Sequence, residues 1–196
     1  MEKSAEQWLL LAYSLPTEPS RFRVSVWRHL RKLGAIYLNE GFWVLPNSAA
    51  MVKEIEGVIK EVQSFQGTAS AFTSRDLDPA QGERLRSKFL DARKEEYSEL
   101  QGQYDKFVVH VEHARSTQRF TFAEVEELEE EIAKLERWLR EIGERDVFKS
   151  PENARTAESL EQGRMLLQRF TEDTFAASSD SRLATSPDPR GAGAGT

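Results

Sequence analysis

Residues 7–46 read QWLLLAYSLPTEPSRFRVSVWRHLRKLGAIYLNEGFWVLP, and their reading decides the fold. The run 7–15 is apolar almost throughout and is closed by Pro16, the pattern of a central strand buried on both faces. PTEPS (16–20) is a turn, with Ser20 placed to cap a following helix. That helix should reach Gly34, a natural residue just past a helix end. AIYL (35–38), NEG (39–41) and FWVL (42–45) predict a strand, a tight turn and a strand, stopped by Pro46.

The pattern then continues outward. Asn47 or Ser48 can cap a second helix. Its apolar positions Met51, Ile55, Val58, Val62 and Phe65 recur every three or four residues, and Gly67 should end it. TASAFTS (68–74) is a fourth, weaker strand. The order β-α-β-β-α-β over 1–78 predicts a ferredoxin-like unit in an α+β chain, with both helices on one sheet face.

From Asp78 onward strand signals vanish. Tyr97, Leu100, Tyr104, Phe107 and Val111 form one stripe. Val125, Leu128, Ile132, Leu135, Leu139 and Ile142 form another, both with heptad spacing. Thr121 with Glu124 reads as a capping box at the start of the second of these helices. Ser150–Pro151 opens a third helix, with Leu160, Leu167 and Phe170 on one side. An antiparallel three-helix extension is therefore expected over 79–177, with a disordered tail over 178–196.

The chain has 196 residues, no cysteine and a formal net charge of −6. Lacking thiols, it has no disulfide, thiolate metal site or thiol redox chemistry. The apolar run Trp8–Tyr13 is too short to span a bilayer, and MEKSAEQ lacks the plan of a signal peptide. A cytoplasmic protein is expected. Charge is unevenly placed: acids crowd 124–136, and Arg21, Arg23, Arg28, Arg31 and Lys32 stand together without an acid in 20–34.

On a helical wheel Phe22, Val26, Leu30 and Leu33 form an apolar stripe, with Trp27 at its margin. Arg21, Arg28, Arg31 and Lys32 fall on the far side, around Ser25. Arg23 falls at the apolar margin, where a cation must snorkel, stack on an indole, or meet an acid or phosphate. The outer four read either as a solvated face or as phosphate contacts, since guanidinium forks match phosphate oxygens.

The segment 8–46 resembles the opening of the ChrB chromate-resistance regulators. The shared pattern is W-L-L-L, S-L-P-T-E, an R-x-x-x-W-R helix, L-G-A, and an aromatic-V-L-P hairpin. LERWLREIGERDVFKSPENARTAESLE (135–161) is similar to that family's helical half, so the resemblance covers roughly 8–175. It implies a bacterial, cytoplasmic regulator of a chromate-efflux operon, binding promoter DNA, and makes Arg23 and Arg28 the DNA-related positions of the R-x-x-x-W-R pattern. The order of elements is also similar to small CRISPR adaptation nucleases and to the middle domain of phenylacetate-type repressors. The nucleases carry an acidic metal ligand at the end of the first strand. Ser14 stands there, which removes the anchor for a divalent metal.

Other chemistry is thin. His110 and His113 share a helix face and could begin a metal site, but two ligands are not a site, and a solvated or core-margin role is the plainer reading. His29 reads as part of the basic face. Trp43, Trp138 and Tyr37 read as well for the core as for binding. No nucleophile constellation, phosphate loop or dinucleotide motif is present, so neither an enzyme nor a cofactor is expected. Chromate, a tetrahedral dianion, could be held by the same arginines as a DNA phosphate. The expected assembly is a homodimer through a hairpin edge or the heptad stripes. The alternative is a helical interaction module that works with a separate chromate-sensing domain and does not bind DNA.

Overall fold

The computed structural model describes residues 7–38, 41–76 and 78–184, with side chains to Ser179. The order of elements is β1 (Gln7–Ser14), α1 (Ser20–Lys32), β2 (Ile36–Tyr37), β3 (Phe42–Pro46), α2 (Ala49–Ser64), β4 (Thr68–Arg75), α3 (Pro79–Ser116), α4 (Phe122–Arg145) and α5 (Pro151–Ala184). The fold is α+β and mostly helical. None of the described helices is long and apolar enough to cross a membrane.

The four strands form one antiparallel sheet in the order β2-β3-β1-β4. β1 is central, as its unbroken apolar run demands. Leu9 and Leu11 point to one face, where they pack with Val26 and Leu30 of α1 and with Ile55, Val58 and Val62 of α2. Leu11, Val26, Leu30, Val58 and Val62 are wholly excluded from solvent. Each such aliphatic side chain stabilises the fold by roughly 1.5–3 kcal/mol through burial.

Trp8 and Leu10 point to the opposite face, joined by Ile36 and Val44. This face is covered by the first turns of α3 and by Phe148 from the connection before α5. The Trp8 and Phe89 rings stack at 5.8 Å, and Phe148 tilts against both. Arg86 of α3 lies over the Phe148 ring. The Trp8 indole N–H donates to Asp76 Oδ1 at 2.6 Å, tying β1 to the end of β4. The connection between α4 and α5 therefore supplies core. Its bend is held by Asp146, which accepts from the Ser150 N–H and hydroxyl at 2.9 and 3.0 Å.

The chain divides into two compact units, 1–95 with 142–150, and 96–141 with 151–196. The division falls within α3 rather than at the expected 78–79, because α3 begins as a cover for the sheet. In the second unit Tyr97, Leu100, Phe107 and Val111 of α3, Leu128 and Ile132 of α4, and Leu160, Leu167 and Phe170 of α5 are buried. Asn153 donates to the Tyr97 hydroxyl, and Arg115 pairs with Asp173. These two contacts, in the same order along both helices, make α3 and α5 parallel. α4 returns between them after a short connection. Gly163 lets α5 approach closely: a Cβ there would stand 2.9 Å from Tyr104 and 3.1 Å from Ile132.

Several boundaries differ from the sequence expectation. Pro19, not Ser20, occupies the cap of α1 and offers no side-chain acceptor. Ser48 caps α2, accepting from the Met51 N–H at 3.2 Å. Gln66, with φ of 61°, takes the left-handed position after α2, one residue before the Gly67 expected to end the helix. The α5 helix runs on to Ala184, past Ser178, so its backbone is helical where a disordered tail was expected. Residues 185–196 of that tail, and Asn39 and Glu40 of the expected turn, lie outside the described residues.

Candidate functional site

The α1 helix is fixed at its C-terminus by a glycine. Gly34 has φ of +76°, its N–H bonds Arg31 O, and Ala35 N–H bonds Leu30 O at 3.0 Å. This is the paired closure that a left-handed residue makes possible. A Cβ at Gly34 would also meet Arg145 Cβ at 2.8 Å. The apolar stripe then sets the rotation of the helix, with Val26 and Leu30 inward.

The outer face carries Arg21, Arg28 and Lys32, all exposed. Among the described residues no acid forms a salt bridge with Arg21, Arg28, Arg31 or Lys32. Arg21 rests over the adjacent Phe22 ring at 5.4 Å. Arg31 and Lys32, in the last turn, also oppose the negative end of the helix dipole.

Two of the expected cations point elsewhere. Arg23 donates through Nη1 to the carbonyls of Pro16 (3.1 Å) and Thr17, tying α1 to the loop that precedes it. Arg31, placed with the outer four on the wheel, turns to the same side as Arg23 and Trp27. These three residues and Val24 form one wall of a cavity of about 440 Å³. Tyr13 and Trp43 of the sheet and Tyr37 of the edge strand β2 complete it. Burial pushes the Tyr13 phenol up from its ordinary value, against a hydrogen bond from Trp43. The sequence names Arg23, Arg31, Trp27, Tyr37 and Trp43 separately. Tyr13 is missed, because its neighbours come from other strands.

His29 and Ser25 do not join the basic face as expected. The Ser25 hydroxyl donates to Glu61 Oε1 at 2.6 Å, and His29 Nδ1 lies 2.8 Å from Glu61 Oε2 on α2. Burial alone would raise the Glu61 carboxyl, but Ser25 and His29 together hold it below the usual carboxylate range.

The second unit resolves the histidine pair. His113 is exposed. His110 lies between two carboxylates, with Nε2 3.0 Å from Glu124 and Nδ1 3.2 Å from Glu131. Burial acts to lower its pKa, and the two glutamates more than offset this, raising it. Glu124 is not a surface acid: it is buried and also pairs with Arg119 at 2.8 Å. The expected capping box is half made. Thr121 Oγ1 accepts from the Glu124 N–H, while the Glu124 carboxylate is spent on His110 and Arg119. His110, Glu127 and Glu131 bring potential ligand atoms within 4.8 Å of one another and are the described residues that could hold a metal ion.

Residues 23–181 match the family described as Protein ChrB, N-terminal. The chain belongs to the ChrB family. A curated ChrB-family relative, Protein ChrB of Cupriavidus metallidurans, is 32% identical over 110 residues. That match covers 56% of this chain and 31% of the relative, so the chain spans under a third of the relative's length. No solved structure matches. The matched ChrB region takes in most of α1, including Arg23, Arg28, Arg31 and Lys32, together with α3, α4 and α5 as far as residue 181.

Proposed function

We propose that this chain is the DNA-binding part of a chromate-resistance regulator and grips the phosphate backbone through the outer face of α1. The observation that carries this reading is the set of exposed cations, Arg21, Arg28 and Lys32 with Arg31 beside them, without acidic partners among the described residues of a chain of net charge −6. An isolated positive face on an acidic protein is an electrostatic footprint for an anionic polymer. ChrB membership supplies the chromate context. The βαββαβ order and the strand order β2-β3-β1-β4 support a ferredoxin-like unit as its carrier. On this reading the protein is non-catalytic, acts in the cytoplasm as a homodimer, and answers to chromate in the complete regulator.

A mobility shift on the promoter beside its own gene, with and without chromate, tests the proposal. A shift at low salt that Arg28→Ala with Lys32→Ala abolishes is expected. No shift by the unaltered chain would overturn it. The rival, an interaction module that does not bind DNA, draws on Phe122 and Phe175, which are exposed yet packed edge to face at 5.1 Å. Retained partner capture without any DNA shift would favour that rival.

A further inference from the structure

The cavity between α1 and the sheet is separate from the outer basic face, and its chemistry is different. Trp27 and Tyr37, on the helix and on β2, are each more than half exposed at 51% and 56%. Both rings line the same cavity, and a contiguous exposed apolar patch of this kind marks a binding place. Tyr37 is held in place by Trp43, its ring edge-on at 5.3 Å and 61°. Trp43 is itself buried and forms the floor with Tyr13. Two guanidinium groups enter the same space, and among the described residues no lining side chain is acidic. Arg23 is pinned by the Pro16 and Thr17 carbonyls, which use only Nη1 and leave its other N–H groups to donate. Among the described residues no acid pairs with Arg31.

A cavity lined by two cations calls for an anion. One with exposed rings on two walls calls for a flat partner to stack on them. A simple oxyanion would use the first feature and leave the second unsatisfied. An apolar segment would use the second and strand the charges. We infer that this cavity binds an aromatic anion of the nucleotide class, with its ring against Trp27 and Tyr37 and its phosphate toward Arg23 and Arg31. The volume, about 440 Å³, falls in the range of small-molecule pockets. The ligand can be a free nucleotide or an unstacked base of a DNA strand, and the two share this chemistry. The inference does not depend on duplex binding by the outer face.

Isothermal titration of the full chain tests it with adenosine 5′-monophosphate, ribose 5-phosphate, and a short oligothymidylate strand. Saturable binding of the nucleotide or of the strand is expected, and which of them binds identifies the source. Trp27→Ala and Arg31→Ala, both at exposed positions, should each weaken it by about tenfold or more, the scale of one lost stacking contact. Trp27→Phe should retain binding while reducing the tryptophan quenching that accompanies it to what Trp43 gives. Arg155→Ala, an exposed arginine of α5, should leave it unchanged. Equal binding of ribose 5-phosphate and the nucleotide would overturn the inference, because the rings would then be idle. So would no binding of any probe, or unaltered affinity in both alanine variants. Loss of duplex shifts with nucleotide binding retained would overturn only the duplex reading.

Discussion

The salt dependence of duplex binding gives the sharpest test of the α1 face. If Arg21, Arg28 and Lys32 each neutralise one phosphate, counterion release gives a slope of log K against log salt of about −2.7. Affinity should then fall about 40-fold between about 50 and 200 mM salt. Replacing Arg21, Arg28 and Lys32 together with Ala removes the cations of this face, and the slope should fall close to zero over the same range. These residues are exposed and outside the core, so the variant should fold as the parent does. Fluorescence anisotropy of a labelled promoter duplex over a salt series reads both slopes. Arg155→Ala, an exposed arginine on α5, is the matched control and should leave the parent slope unaltered. A parent slope shallower than about −1, or one that the triple variant leaves unchanged, would refute the claim that this face meets phosphates.

Further outcomes follow from packing and charge. Gly34→Ala should cost more than the ~1–2 kcal/mol of a left-handed alanine, because its Cβ also meets Arg145; a urea midpoint equal to the parent's would contradict the helix closure described. Gly163→Ala overfills the junction of three helices and should lower stability by about 1–3 kcal/mol, read in the same unfolding experiment. Glu61 has a folded pKa below its ordinary value near 4.5, so its contribution is full above that value and fades as pH falls through the depressed one. Glu61→Gln should therefore flatten the acid limb of a stability-versus-pH curve, and an identical limb would show that the Ser25–Glu61–His29 link carries no linkage.

What the sequence discloses depends on the range of the interaction. β1 and the hairpin are legible because an unbroken apolar run and a stop at Pro46 are local signals. The α1 stripe is legible because Val26 and Leu30 repeat at helical spacing. The second face of the sheet is not: Phe89 sits in a charged helix and Phe148 in a loop, and only the fold sets both rings against Trp8. The same limit hides the cavity, whose rings come from β1, β2, β3 and α1. Arg31 lies between the two faces on the wheel, and tertiary packing, not spacing, turns it to the cavity. Glu124 reads as a cap from Thr121 alone, while its stronger partners, His110 and Arg119, compete for the same carboxylate.

The aromatic lid that Phe89 and Phe148 place over Trp8 bears on how such a protein can be divided. A chain severed after β4 would carry a bare hydrocarbon surface of Trp8, Leu10, Ile36 and Val44 into water. The strands are thus no interchangeable cassette: recombination or gene splitting must transmit the two covering segments, 79–95 and 142–150, along with them, or leave a product prone to aggregate.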